Sequence, residues 1–327
     1  MSFPIVYHPR YSASLPAGHR FPMSKFRRLY ELLLESQIVD VEDVHQPMPA
    51  KRSWLELAHT PQYVEGVCSR SLDESSIRRI GLPMDETVVR RSLAAVGGTV
   101  LAARLALKHG IACNTAGGSH HAFSGHGSGY CVFNDVAVAA RVLLDEGQVQ
   151  RVFVLDLDVH QGDGTAEILT GDPGAFTFSM HCAENFPKAK QMSDRDVALP
   201  AGTGDAEYLD ILEAELEELL PAFSPDLVIY NAGVDLHRND RLGKLALSDA
   251  GIAARERAVL NFCLRLGVPV ACVVGGGYDM DADVIARRHM ILHREASLII
   301  EVSETRRGRG PTSETSPTAQ DEPSVSS

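Results

Sequence analysis

The chain repeatedly alternates short apolar runs with stretches of helical periodicity, and the runs stay apolar throughout instead of alternating with polar residues. Ile5-Val6-Tyr7, Ile111-Ala112-Cys113, Val152-Phe153-Val154-Leu155, residues 175–179, Leu227-Val228-Ile229-Tyr230 and residues 268–274 read as strands. Between them, helices are expected over residues 25–35 behind a Ser24 cap, 62–68 behind Thr60-Pro61, 86–109, 137–144, 165–169, 206–220, 250–266 and 282–301. A strand that is apolar on both sides must be covered on both sides, and a helix after each strand makes the next strand parallel. The fold class that follows is α/β: a single domain with a mostly parallel sheet and helices on both faces. Residues 1–302 carry this pattern, with no internal repeat and no linker. From residue 303 the chain turns to Ser, Thr, Pro, Glu, Gly and Arg without apolar periodicity, so 303–327 is expected to be a disordered tail.

Composition narrows the functional classes. With 31 basic and 43 acidic residues the formal net charge is −12, which argues against holding nucleic acid electrostatically and suits a cationic substrate. The six cysteines are scattered with no C-x-x-C spacing, so reduced buried thiols are expected rather than a disulfide framework. No secretory signal and no run long enough for a membrane span is visible, which makes a cytoplasmic location the default.

Reactive residues gather where the apolar runs end, the edge at which open parallel sheets bind ligands. After the 152–155 run comes Asp156-Leu157-Asp158-Val159-His160-Gln161-Gly162-Asp163. If the extended conformation continues, Asp156, Asp158 and His160 share a face, and a divalent metal would neutralise them. The rival is a plain strand-to-helix turn built from Asp and Gly. Gly117-Gly118-Ser119-His120-His121 follows the 111–113 run; adjacent histidines in an extended segment point opposite ways, so two bases held by separate acids fit better than one shared metal. Asn231-Ala232-Gly233-Val234-Asp235 and Gly275-Gly276-Gly277-Tyr278 end two further strands. The latter lacks the spacing and the Lys-Ser/Thr of a phosphate loop, so it reads as a tight loop presenting a tyrosine.

These four segments, in this order, resemble the zinc-dependent histone deacetylase family, which shares the arginase/deacetylase fold. The resemblance runs from Pro4-Ile5-Val6-Tyr7 to His289. The segments His19-Arg20-Phe21-Pro22-Met23-Ser24-Lys25, 199–205 and Ile285-Ala286-Arg287-Arg288-His289 are most similar to the class IV branch and its bacterial relatives. The resemblance implies one zinc ion per chain on Asp158, His160 and Asp235. It implies His121 as general base oriented by Asp163, His120 as its partner oriented by Asp156, and Tyr278 as the hydrogen-bond donor to the substrate carbonyl. Gly129, Tyr130 and Phe186 match the acyl-lysine channel. A structural monovalent cation such as potassium is implied near Asp156, Asp158, His160 and Ser179. Two departures stand out: Tyr130 where phenylalanine is usual, and Asp163 where the class IV branch often has asparagine. The aspartate should raise the basicity of His121.

The implied activity is hydrolysis of an acyl group, acetyl or longer, from N-acyl-lysine in proteins or from a related small acylated amine such as an acetylpolyamine. An arginase-like two-manganese hydrolase and a catalytically inactive binding relative are the alternatives; neither the histidine pair nor the glycine–tyrosine loop favours the first, and no ligand is missing as the second would require. The −12 charge leads to the expectation of an acidic surface around the channel.

Overall fold

The computed structural model describes residues 3–308. In chain order the elements are β1 (Ile5–Val6), α1 (Lys25–Glu35), β2 (Val44–His45), α2 (Arg52–Leu55), α3 (Pro61–Cys68), α4 (Glu74–Ile80), α5 (Glu86–His109), β3 (Ile111–Asn114), α6 (Asp135–Asp145), β4 (Val152–Asp156), α7 (Asp163–Leu169), β5 (Ala175–Cys182), β6 (Arg195–Leu199), α8 (Asp205–Phe223), β7 (Leu227–Asn231), α9 (Asp249–Leu266), β8 (Val270–Val273) and α10 (Ala282–Gly308). All eight strands form one parallel sheet in the order β2-β1-β3-β8-β7-β4-β5-β6.

The apolar runs are strands because both of their faces are covered. Along β4, Phe153 and Leu155 enter one core with side chains of α1, α8, α9 and α10. Val152 and Val154 enter the other, with α5 and α6. This is the period-two alternation of a strand buried on both sides.

Helix ends follow side-chain chemistry where a cap exists. Asp85 accepts from the amides of Thr87 and Val88 at the start of α5, and Asn134 accepts from Ala137 N at the start of α6. Pro61 stands in the first turn of α3, as the sequence predicts, and Thr60 before it accepts from Tyr63 N. Ser24 occupies the cap position of α1 but its hydroxyl makes no cap bond, because its backbone is already helical. The sequence reading omits β2, β6, α2 and α4. Both omitted strands lie on the edges of the sheet, where no apolar run is required: β6 is mostly exposed and carries Arg195 and Asp196. The last helix continues to Gly308, and residues 309–327 of the expected tail lie outside the described residues.

Candidate active site

Strand order explains why segments far apart in sequence meet. β3, β8, β7 and β4 are consecutive neighbours in the sheet, so the four loops leaving their carboxyl ends stand side by side. β4 closes on Asp156, and β7 closes on Asn231, which is in register with it.

Asp158, His160 and Asp235 are buried, and one ligand atom from each lies within 4.8 Å of the others. His160 Nδ1 is 3.0 Å from Asp158 Oδ1 and 3.1 Å from Asp235 Oδ2. Backbone amides hold the carboxylates in place: His160 N donates to Asp158 Oδ1, Gly276 N to Asp158 Oδ2 (2.7 Å), and Val159 N to Asp235 Oδ1 (3.0 Å). Residue 276 must be glycine here, since a Cβ would overlap Asp235 Oδ2. Burial and the neighbouring Asp158 push Asp235 up to about 7. Against its own burial, His120 and His160 hold Asp158 well below the usual carboxylate range. One imidazole nitrogen between two buried carboxylates is a donor set that fits a zinc ion, and a dication would relieve their mutual repulsion.

His120 and His121 do not point opposite ways. Gly117 and Gly118, both at positive φ, bend the chain out of the extended conformation, and the two rings lie 4.1 Å apart between centroids. Each nevertheless has its own acid. His120 Nδ1 is 2.6 Å from Asp156 Oδ2, and His121 Nδ1 is 2.6 Å from Asp163 Oδ1. Asp156 is itself fixed by Asp158 N and by Asn231 Nδ2. Burial lowers His120, but Asp156 and Asp158 outweigh it and carry the group to about 9. Burial and the adjacent His120 lower His121 to about 4; Asp163 raises its basicity, as expected of an aspartate there, without outweighing them. Asp156 and Asp158 thus favour the charged form of His120, whereas burial and that neighbour favour the neutral form of His121.

Tyr278 is gripped through its backbone: its N donates to Asp240 Oδ2 (2.7 Å), and its carbonyl accepts from Arg241 N (3.2 Å). Below the glycine loop, fully buried Lys25 donates to the carbonyl of Gly275 at 3.0 Å. A channel opens outward from His121, His160 and Tyr278, with a volume of about 390 Å³ and walls that include Gly129, Tyr130 and Phe186. The Phe186 ring stands edge-on to His121 at 4.9 Å, and a Cβ on Gly129 would come within 2.8 Å of that imidazole. A smaller cavity of about 30 Å³ shares His121, Gly129, Tyr130 and Tyr278 with the channel and is also lined by Phe21, Phe26 and Arg91. Ser179 is in register with Asp156 on the neighbouring strand, and its hydroxyl lies 3.0 Å from His181 Nδ1.

Sequence reasoning does not single out Asn231, Asp240, Lys25 or Arg91, which orient or enclose the others. Only Asn231 and Asp240 stand close to a strand-end motif. The channel mouth also departs from expectation: its lining contains Arg78 and Arg79 and no carboxylate. Net charge is a whole-chain sum and carries no information about one rim.

A sequence model of the histone deacetylase domain matches residues 19–292. The chain is 56% identical over 296 residues to an uncharacterised protein of Picosynechococcus sp., covering 90% of this chain and 99% of that one. It is 31% identical over 299 residues to histone deacetylase 2 of Arabidopsis thaliana, covering 86% of this chain and 76% of that one. A crystal structure of an HDAC homolog complexed with SAHA superposes with a TM-score of 0.78 at 26% identity, covering 91% of this chain and 84% of the other. Sequence match, shared fold and the meeting of the four strand-end segments agree: the chain belongs to the zinc-dependent histone deacetylase family, within the arginase–deacetylase superfamily.

Proposed function

We propose that this protein is a cytoplasmic, class IV-like zinc-dependent amidohydrolase that removes a short acyl group, acetyl foremost, from N-acyl-lysine in a protein or from a related acylated amine. The carrying observation is that His160, which groups with Asp158 and Asp235, lines one channel together with His121 and Tyr278. Zinc held by Asp158, His160 and Asp235 would polarise the acyl carbonyl and supply a bound water with a pKa lowered toward ~7. His121 keeps its Nδ1 proton on Asp163, which leaves Nε2 as the lone pair that takes the proton of the attacking water. Burial and the nearby Asp235 hold the Tyr278 hydroxyl well above its usual pKa, so it stays protonated and donates to the carbonyl oxygen as charge develops there. His120, the protonated member of the pair, gives a proton to the departing amine.

The small cavity that adjoins the channel beside Tyr278 has a volume of about 30 Å³, room for roughly two waters, and an acyl group seated there would be short. A monovalent cation such as potassium is proposed as a structural ion at Asp156, Asp158, His160 and Ser179. An arginase-like reaction would need a second metal, and among the described residues one metal-competent group is present.

The test is a kinetic panel of lysine substrates from acetyl to myristoyl, with acetylputrescine included, on zinc-loaded protein. Acetyl-lysine is expected to be turned over best. His121→Ala and Tyr278→Phe should each lower kcat by ~100-fold or more while zinc is retained. Asp235→Ala should lose the metal itself, read by elemental analysis. Near-normal turnover in either of the first two variants overturns the assignment.

A further inference from the structure

The lining of the channel is basic although the chain as a whole is acidic. It includes Arg78 and Arg79, both exposed, and no Asp or Glu. The two arginines end α4, and their position is fixed by the channel wall. Gly129 N donates to the carbonyl of Arg79 at 3.3 Å, and Tyr130 N donates to that of Ile80 at 2.7 Å. Arg78 reaches Glu74 at 3.2 Å in an open pair, 70% and 91% exposed, which water screens heavily. Among the described residues no carboxylate lies within ion-pair distance of Arg79. On the opposite side the lining is apolar, with Phe186 and Leu242, and the neighbouring Arg241 is again exposed. On a chain with a formal charge of −12, two guanidiniums fixed to the wall of a substrate channel form a local anion-attracting rim.

Resting on the deacylase reading above, we propose that this rim selects acyl-lysine segments in which acidic side chains flank the modified lysine. Arg78 and Arg79 pair with the flanking carboxylates while the acylated side chain enters past Tyr130 and Phe186. Polycationic acylated amines are disfavoured by the same rim. Neutral contacts in the channel serve every acyl-lysine alike, so the rim sets preference among sequences rather than the chemistry.

Binding tests this independently of turnover. Three fluorescein-labelled acetyl-lysine peptides, flanked by glutamate, glutamine or lysine, are titrated by anisotropy against the His121→Ala protein. The same titrations use a protein that also carries Arg78→Gln and Arg79→Gln. The glutamate peptide is expected to bind about fivefold more tightly than the glutamine peptide at low salt, the lysine peptide more weakly than both. The spread should shrink as salt rises and collapse in the triple variant. Equal affinities, a preference for the lysine peptide, a spread that survives removal of both arginines, or no binding at all overturns the proposal. Turnover of the glutamine peptide by the wild-type enzyme judges the deacylase reading separately.

Discussion

Tyr278 is fixed at its backbone by Asp240, which also accepts from the amides of Leu242 and Gly243. One carboxylate thus ties the loop carrying Asp235 to the loop carrying the tyrosine. Asp240→Asn keeps the shape but replaces one acceptor oxygen with a donor, so one of these loops comes free. A reacting group displaced by as little as an ångström loses much of its rate advantage. Asp240→Asn is expected to lower kcat about tenfold, with no further loss in a Tyr278→Phe background; a double-mutant cycle reads this non-additivity. The catalytic and metal candidates were legible in the sequence because each follows an apolar run. Asp240 and Lys25 were not, since their roles rest on contacts with loops distant in sequence: Lys25 reaches Gly275 from the first turn of α1.

At the scale of elements, α9 supports the site from underneath. Its Arg255 is fully buried and donates to the carbonyls of Leu157 (3.1 Å) and Gly233 (2.7 Å), one in each loop that carries proposed metal ligands. It pairs with buried Glu256, which accepts from the Tyr230 hydroxyl at 2.6 Å. Arg255→Met deprives buried Glu256 of its counter-ion, a loss of about 3–5 kcal/mol in unfolding free energy, measurable as a lower urea midpoint. Adding Glu256→Gln should restore part of that stability without restoring zinc occupancy, because the two loop carbonyls still lack their donor. Helical periodicity gives no warning of this pair. The central strands were legible because a doubly covered strand has to be apolar, whereas β6 and α4 are too exposed to carry such a mark.

For the whole molecule, several buried histidines outside the proposed catalytic and metal-binding set bear on stability. Burial lowers His59, His181 and His293 to about 4 each. In the unfolded chain they titrate near 6.5, so between about 6.5 and 4 the unfolded state binds more protons and stability falls as pH falls. Three such groups give a slope of at most about 4 kcal/mol per pH unit in that window. The urea midpoint should therefore drop steeply below pH 6.5. His293→Leu should flatten the slope by at most one group's share, ~1.4 kcal/mol per pH unit, since the His293 ring keeps only its bond to the His289 carbonyl. The sheet order has a further consequence, for synthesis rather than for stability. β8 lies between β3 and β7, pairing Ile111 with Val270 and Val228 with the same Val270. A ribosome that has finished α9 has already delivered every proposed metal ligand, yet the strand that joins the two halves of the sheet has not emerged. The nascent chain therefore holds its ligands on unjoined pieces until β8 has been made and can pair with both of its neighbours.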